Sequence, residues 1–419
     1  MSSGFDEVFE RVAGIDVHKE SVAVCIRVPD GQGKREEIRT FGTMTPDLLA
    51  LRDWFMSHGV THVAMESTGV FWKPVYHILE DDVTILLVNA AHVKNVPGKK
   101  TDVKDCAWLA KLMEAGLLKG SFVPPRPFRD LRDLTRFRKQ LINDRTREVN
   151  RLHKVLQDAG IKLSSVATDV MGVSGRAMVE ALISGTQDPA LLAELAKGRL
   201  RKKLPQLQRA LTGKFRDHHA FIAAQILNLI SEIEATLADV SARIEEQIAP
   251  FAEAVTLLTK VPGLDRKSVE DILAEITTDM SAFPTSRHIA SWAAICPGNN
   301  ESAGRKKSGK TRYGNKWLRG ALVQAARAAI RNRETYFHAQ YRRIVVRRGD
   351  AKAIVAVAHS ILVVIYHMLR DGTGYEDLGA DYFRARHAET VKRRSIKELE
   401  KLGYKVILDA EGAMPVAVG

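Results

Sequence analysis

Four acidic side chains stand at positions where carboxylates can converge. Asp16 closes the apolar run of "AGIDVHK" and Glu66 closes that of "AMEST". Asp102 and Asp105 lie in "KKTDVKD", where a helical pattern begins. Residues three apart on a helix share a face. In a mixed α/β sheet, strand ends and helix starts converge on one edge, where ligands bind. Four carboxylates gathered there repel one another strongly unless cations lie between them. Oxygen-only ligation suits Mg²⁺ or Mn²⁺. Two such ions about 4 Å apart clamp the attacking and leaving oxygens of a phosphodiester. Lys99, Lys100 and Lys104 flank the last two acids and would supply phosphate contacts. Singly, each acid has an ordinary role, Asp102 as an N-cap and Asp105 as a first-turn charge on the helix dipole. The joint pattern, on a ribonuclease-H-like order of strands, is far more specific than its parts.

A second stretch, "SAGRKKSGKT" from Ser302 to Thr311, fits G-x-x-x-x-G-K-[ST] from Gly304 onward. A phosphate-cradling P-loop follows a buried strand and opens a helix. Here a turn, Pro297-Gly298-Asn299-Asn300, precedes the motif, and the next helix starts only near Gly314-Asn315. The context argues against a nucleotide site. The glycines and the cations Arg305, Lys306, Lys307, Lys310 and Arg312 instead suit a flexible loop against a nucleic-acid phosphate, with Asn315 and Arg319 as further contacts.

The elements that must position these residues follow from periodicity. "VAGIDVHKESVAVCIRV" reads as two strands around a turn at Val17 to Glu20, and "EEIRTFGT" as a third. Helix "PDLLALRDWFMSHG", strand "THVAMEST", helix "FWKPVYHILED", strand "VTILLVN" and helix "DVKDCAWLAKLMEAG" complete an α/β unit with a mixed sheet. Residues 128–157 are helical and basic, with arginines between the apolar positions. Residues 219–249 carry a heptad seam, Ile226 to Ile244, that Pro250 ends. That seam pairs either with the 128–157 helix or with a second copy, and a dimer contact is the expectation. "LLTKVPGLDRKSVEDILAEI" reads as two helices around Pro262-Gly263, and "NKWLRGALVQAARAAIRNR" as an amphipathic helix.

The chain has 419 residues, enough for two or three domains, and a net charge of +13. That balance favours a polyanionic partner. Read as a sequence, no run of about 18 apolar residues predicts a membrane span, and the N-terminus lacks the apolar core of a signal peptide. The three cysteines form no C-x-x-C pair, which argues against disulfides and structural zinc. A cytoplasmic nucleic-acid-binding protein is the expectation.

"AGIDVHK", "MESTG", "KTDVKDCAWLAKL", "VPGLDRKSVEDILAEI" and "PGNNESAGRKKSGKTRYGNKWLRGALVQAA" together carry a resemblance. They resemble the DEDD transposases of bacterial insertion sequences, the IS-one-ten family, and related site-specific DNA invertases. The resemblance spans nearly the whole chain and is thinnest over residues 160–250 and the tail. It implies a RuvC-like, ribonuclease-H-like domain over residues 10–125 with Asp16, Glu66, Asp102 and Asp105 as metal ligands. It implies a helical, coiled-coil middle over 126–250, a mostly helical C-terminal transposase domain over 251–372, and a basic tail over 373–419. It also implies a nucleophilic serine five residues after a proline, here Ser302 after Pro297. The family's usual Ser-Gly is Ser302-Ala303 in this chain, which leaves Ser308 as a second candidate. From the resemblance alone come recombination of DNA through a phosphoserine and selection of donor and target by a noncoding bridge RNA. A homo-oligomer, dimer or tetramer, is expected. A structure-selective junction nuclease without a covalent step, and a non-catalytic nucleic-acid-binding protein, are the alternatives.

Overall fold

The computed structural model describes residues 8–31, 33–67, 69–89, 93, 105–296, 300–302, 305–308, 311 and 314–407, without the side chains of 300–302, 305–308, 384–387 and 389–391. By internal contacts the chain forms two units, Met1–Val123 and Pro124–Gly419.

The first unit opens with β1 (Val12–Val17), β2 (Ser21–Asp30) and β3 (Gly33–Gly42), each antiparallel to its neighbour. Helix α1 (Thr45–Ser57), β4 (His62–Glu66), α2 (Trp72–Leu79), β5 (Thr84–Val88) and α3 (Asp105–Glu114) follow. The strand order β3-β2-β1-β4-β5, with β1, β4 and β5 parallel, is the mixed ribonuclease-H-like sheet anticipated above. β1 lies at its centre, which explains its nearly unbroken apolar run. β3 forms an edge and is mostly exposed; Lys34, Arg35, Glu36, Glu37 and Arg39 charge it and deter pairing with another chain.

The two faces of the sheet differ in cover. Ala13, Ile15 and Val17 of β1 pack with Leu51, Phe55, Val75 and Leu79 of α1 and α2. Val12 and Ala64 pack with Leu109, Leu112 and Met113 of α3 on the other side. Gly14 lets α3 come down onto β1: a Cβ there would lie 2.1 Å from the Cys106 carbonyl oxygen and 2.5 Å from the Ala110 nitrogen. Only glycine fits such a close approach.

The second unit is built on two long helices, α4 (Arg126–Asp158) and, after α5 (Val173–Ile183), α6 (Pro189–Glu194) and α7 (Leu204–Leu211), α8 (Asp217–Ile248). They run antiparallel, since the Phe128 ring packs against that of Phe251 at one end and Asp158 meets His219 at the other. The heptad seam is therefore a hairpin within the chain. Ile226, Ile230 and Ile244 are buried, while Ile233, Leu237 and Val240 are half-buried. At the far end α5 to α7 close a core around Leu152, Leu156, Leu182, Leu207 and Ile230.

At the near end come α9 (Ala252–Leu258), α10 (Arg266–Ile276), α11 (Ser286–Trp292), the hairpin β6 (Asn300–Ser302) and β7 (Arg305–Ser308), α12 (Lys316–Ala329), α13 (Tyr336–Arg348), α14 (Asp350–Asp371) and α15 (Tyr382–Lys401). Gly263, with φ of 89°, turns the chain between α9 and α10 and is seated on α12, where a Cβ would lie 2.3 Å from the Ala325 carbonyl oxygen. Residues 217–258 and 350–371 are, by length and composition alone, apolar enough to cross a membrane, which the sequence reading did not anticipate. In the fold, α14 buries Ile354, Val357, Ile361 and Ile365 as core, and its Tyr366 hydroxyl donates to the Phe283 carbonyl at 2.9 Å.

Candidate active site

Strand alternation sets the side of the sheet on which the acids lie. Asp16 shares the β1 parity of Val12 and Gly14, and Glu66 shares the β4 parity of Ala64. β1 and β4 are parallel with Ile15 opposite Met65, so the next residues, Asp16 and Glu66, end neighbouring strands at one level. Asp105 is the first residue of α3, the helix on that same face, immediately before the Cys106 that rests on Gly14. Sheet parity and one bare glycine thus bring three of the four predicted acids to one end of one face. Asp16 is 22% exposed and pairs with His18, Nε2 to Oδ2 at 3.2 Å. Asp102, Lys99, Lys100 and Lys104 lie outside the described residues.

All-oxygen donors at this edge fit a hard divalent cation. Asp16, Glu66 and Asp105 do not by themselves close to within 4.8 Å of one another. Among the described residues, the one trio of such groups that does is Asp158, His218 and His219, in the second unit. There the His219 Nδ1 accepts the Arg216 backbone N–H at 3.1 Å, so the ring proton sits on Nε2, 2.9 Å from the Asp158 carboxylate. Both ring nitrogens are engaged, and the ring acts as a cap that ties α8 to α4. The same hydrogen bond from His219 holds the Asp158 carboxyl below its ordinary range.

Ser302 ends β6 and pairs with Arg305 across the tip of the hairpin, while Ser308 pairs with Asn300 at its base. The two candidate serines are thus at opposite ends of one small ribbon. Arg305, Lys306 and Lys307 belong to β7, and Lys310 and Arg312 lie outside the described residues. A strand therefore occupies 305–308 where a P-loop needs a phosphate-wrapping turn, and the next helix starts only at Lys316. The stretch expected as a flexible loop is a two-stranded hairpin over its described residues.

Asn315 caps α12. Its Oδ1 accepts the Trp317 and Leu318 backbone N–H groups at 3.0 and 3.1 Å, and its Nδ2 donates to Glu275 Oε2 at 2.6 Å. Its amide is committed to these protein partners. Arg319 is half-buried one turn further along α12. Glu275, 1% exposed, also takes Arg132 Nε at 3.1 Å and Arg136 Nε and Nη2 at 2.8 and 2.9 Å. Beside it Arg138 reaches Glu270 at 2.6 Å and Asp271 at 2.7 Å. Burial pushes the Asp271 carboxyl up against the pull of Arg138, and lowers the Arg132 guanidinium to about 10. The sequence reading gave the α4 arginines to solvent or phosphate. Three of them instead hold α10 against α4, and the signal was the acids Glu270, Asp271 and Glu275 among the apolar residues Val269, Ile272, Leu273 and Ile276 of that helix.

Residues 13–161 match a transposase family model, the DEDD domain of the IS110 type, and residues 255–342 match the IS116/IS110/IS902 transposase family. The chain belongs to the IS110 family of transposases. The two matched spans take in more than half of the chain, including all four acids and Ser302. A 43.6 kDa protein of insertion element IS110 from Streptomyces coelicolor is 28% identical, over 67% of this chain and 73% of its own length. The transposase for insertion sequence element IS1111A from Coxiella burnetii is 24% identical over 68% and 70%. A pilin gene-inverting protein of Moraxella bovis is 28% identical over 29% of this chain and 38% of its own. As a member of this family the chain is a transposase, an enzyme that recombines DNA, and its DEDD domain points to divalent metal use.

Proposed function

We propose that this transposase cuts and rejoins the ends of an insertion sequence with Asp16, Glu66, Asp102 and Asp105 as Mg²⁺ (or Mn²⁺) ligands and Ser302 as nucleophile. The observation that carries the metal site is the placement of Asp16, Glu66 and Asp105 at one end of one sheet face. Bound there, Mg²⁺ supplies Lewis acidity to a phosphodiester. Ser302 Oγ attacks phosphorus, an O–P bond forms, and the scissile P–O bond breaks. The serine proton ends on the released strand hydroxyl. The phosphoserine keeps the bond energy of the phosphodiester, so a second strand hydroxyl can displace Ser302 and reseal DNA without ATP. The cations of β7 and Lys310 and Arg312 stabilise the charge that develops on phosphate.

A bridge RNA selecting donor and target, and a homo-oligomeric assembly, complete the reading. The family resemblance supports the RNA. The arginine excess of α4 supports it less, because Arg132, Arg136 and Arg138 are spent on internal acids. Purified protein should carry a defined noncoding RNA of its element, released as salt rises.

The decisive test uses end-labelled element-end DNA with Mg²⁺. Wild type and Ser308→Ala should leave a protein–DNA adduct on a denaturing gel. Ser302→Ala should bind DNA and leave none, and EDTA, Glu66→Gln or Asp16→Asn should abolish cleavage. An adduct from Ser302→Ala refutes the nucleophile. Cleavage by wild type with no adduct on any substrate assigns the attack to water.

A further inference from the structure

A concavity of about 300 Å³ opens between α4, α10 and α12. Its walls carry Arg136, Lys139, Asn143, Lys316, Trp317 and Gln324. Two acids also line it, and both are already matched: Glu275 by Arg132, Arg136 and Asn315, and Asp271 by Arg138. Lys139 and Lys316 are not. Among the described residues neither forms an ion pair; Lys139 Nζ meets the Gln324 carbonyl at 3.3 Å, and Lys316 Nζ sits 5.1 Å from the centre of the Trp317 ring. Arg136, held by Glu275, lies 5.7 Å from the centre of the same ring.

An aromatic wall, two ammonium groups outside any ion pair and two side-chain amides converge on a volume the size of one nucleotide. Aromatic rings stack on any base, ammonium groups take the phosphate, and amides bond base edges. A duplex is far too wide to enter. α12, which carries Trp317 and Lys316, follows in sequence the hairpin that carries Ser302, so the pocket and the proposed nucleophile belong to neighbouring stretches of one chain.

We propose that the pocket holds one unpaired nucleotide of the DNA strand being cut, its base against Trp317 and its phosphate between Lys139 and Lys316. The proposal rests on the transposase reading, but its test needs no cleavage. Full-length protein in EDTA is titrated with a single-stranded DNA oligomer containing 2-aminopurine. Stacking on Trp317 should quench the base's emission, and Trp317→Ala should abolish the quench and weaken binding about ten-fold. Trp317→Phe should restore most of both, which separates stacking from loss of fold. Lys139→Ala/Lys316→Ala should keep the quench at low salt and lower the log–log salt slope by about 0.7, the value for one phosphate on a single strand. Ser302→Ala should quench like wild type, so loss of the nucleophile assignment leaves this result standing. No quench with wild type, or an undiminished quench with Trp317→Ala, overturns the pocket. Trp317-dependent quenching that is as strong with the matching RNA oligomer overturns its assignment to DNA.

Discussion

Single residues here do work that their types only half disclose. Asp265 is a clear case. Its side chain accepts the Ser268 backbone N–H at 2.8 Å and caps α10, the helix that carries Glu270, Asp271 and Glu275. The hydrogen bonds from Ser268 hold its carboxyl below the ordinary value of 3.8. A carboxyl lowered by folding contributes stability that is present above its unfolded pKa and is lost as pH falls through the folded one. Asp265→Ala should therefore lower unfolding free energy at pH 7 by about 1 kcal/mol, the usual worth of such a cap. Denaturant titrations should show the difference between wild type and variant shrinking below pH 3.8. A difference that stays constant down to pH 2 would assign it to packing instead.

At the scale of elements, most of the first unit was legible. Alternation in β1 and β2, Pro46 and Gly59 around α1, and short apolar runs for β4 and β5 each carry a local signal, and the sheet order follows from them. β3 starts at Gly33, before the expected "EEIRTFGT", because an exposed edge strand needs no apolar alternation and Lys34 and Arg35 hide it. The hairpin β6–β7 was hidden for a similar reason: a polar, cationic ribbon has the composition of a loop. The partition of the α4 arginines was illegible because their partners lie more than 120 residues away, on α10. Of the acids, Asp16 and Glu66 were placed by strand ends alone, whereas the seat of α3 depends on Gly14, which reads in sequence as an ordinary strand residue. The network around Glu275 gives the element-scale prediction. Glu275→Ala leaves Arg132 and Arg136 without their carboxylate and frees the Asn315 amide, so it should cost about 3 kcal/mol. Calorimetry checks this: a melting temperature within a degree of wild type would show that the three helices hold by apolar packing alone.

For the whole molecule, assembly is the open quantity that the geometry sharpens. The apolar seam expected to join two copies is used inside the chain, between α4 and α8, yet Ile142 and Leu229 on those helices remain 38% and 45% exposed. We expect a homo-oligomer that uses this outer surface, and Ile142→Asp/Leu229→Asp should reduce the molar mass measured by light scattering while the far-ultraviolet circular dichroism is kept. A folded variant of unchanged mass would move the contact elsewhere. The α4–α8 pair has a mechanical consequence as well. α4 runs 33 residues without a break, so it is a rod about 50 Å long. One end is bolted to α10 by the Arg132, Arg136 and Arg138 ion pairs, and the other bears the core around Leu156. Such a rod is a lever: a tilt of roughly 10° at the bolted end sweeps the far end through about 9 Å. Conversely, a load gripped at the tip, by nucleic acid or by another copy, arrives at the ion-paired end of α4 as torque with a long arm.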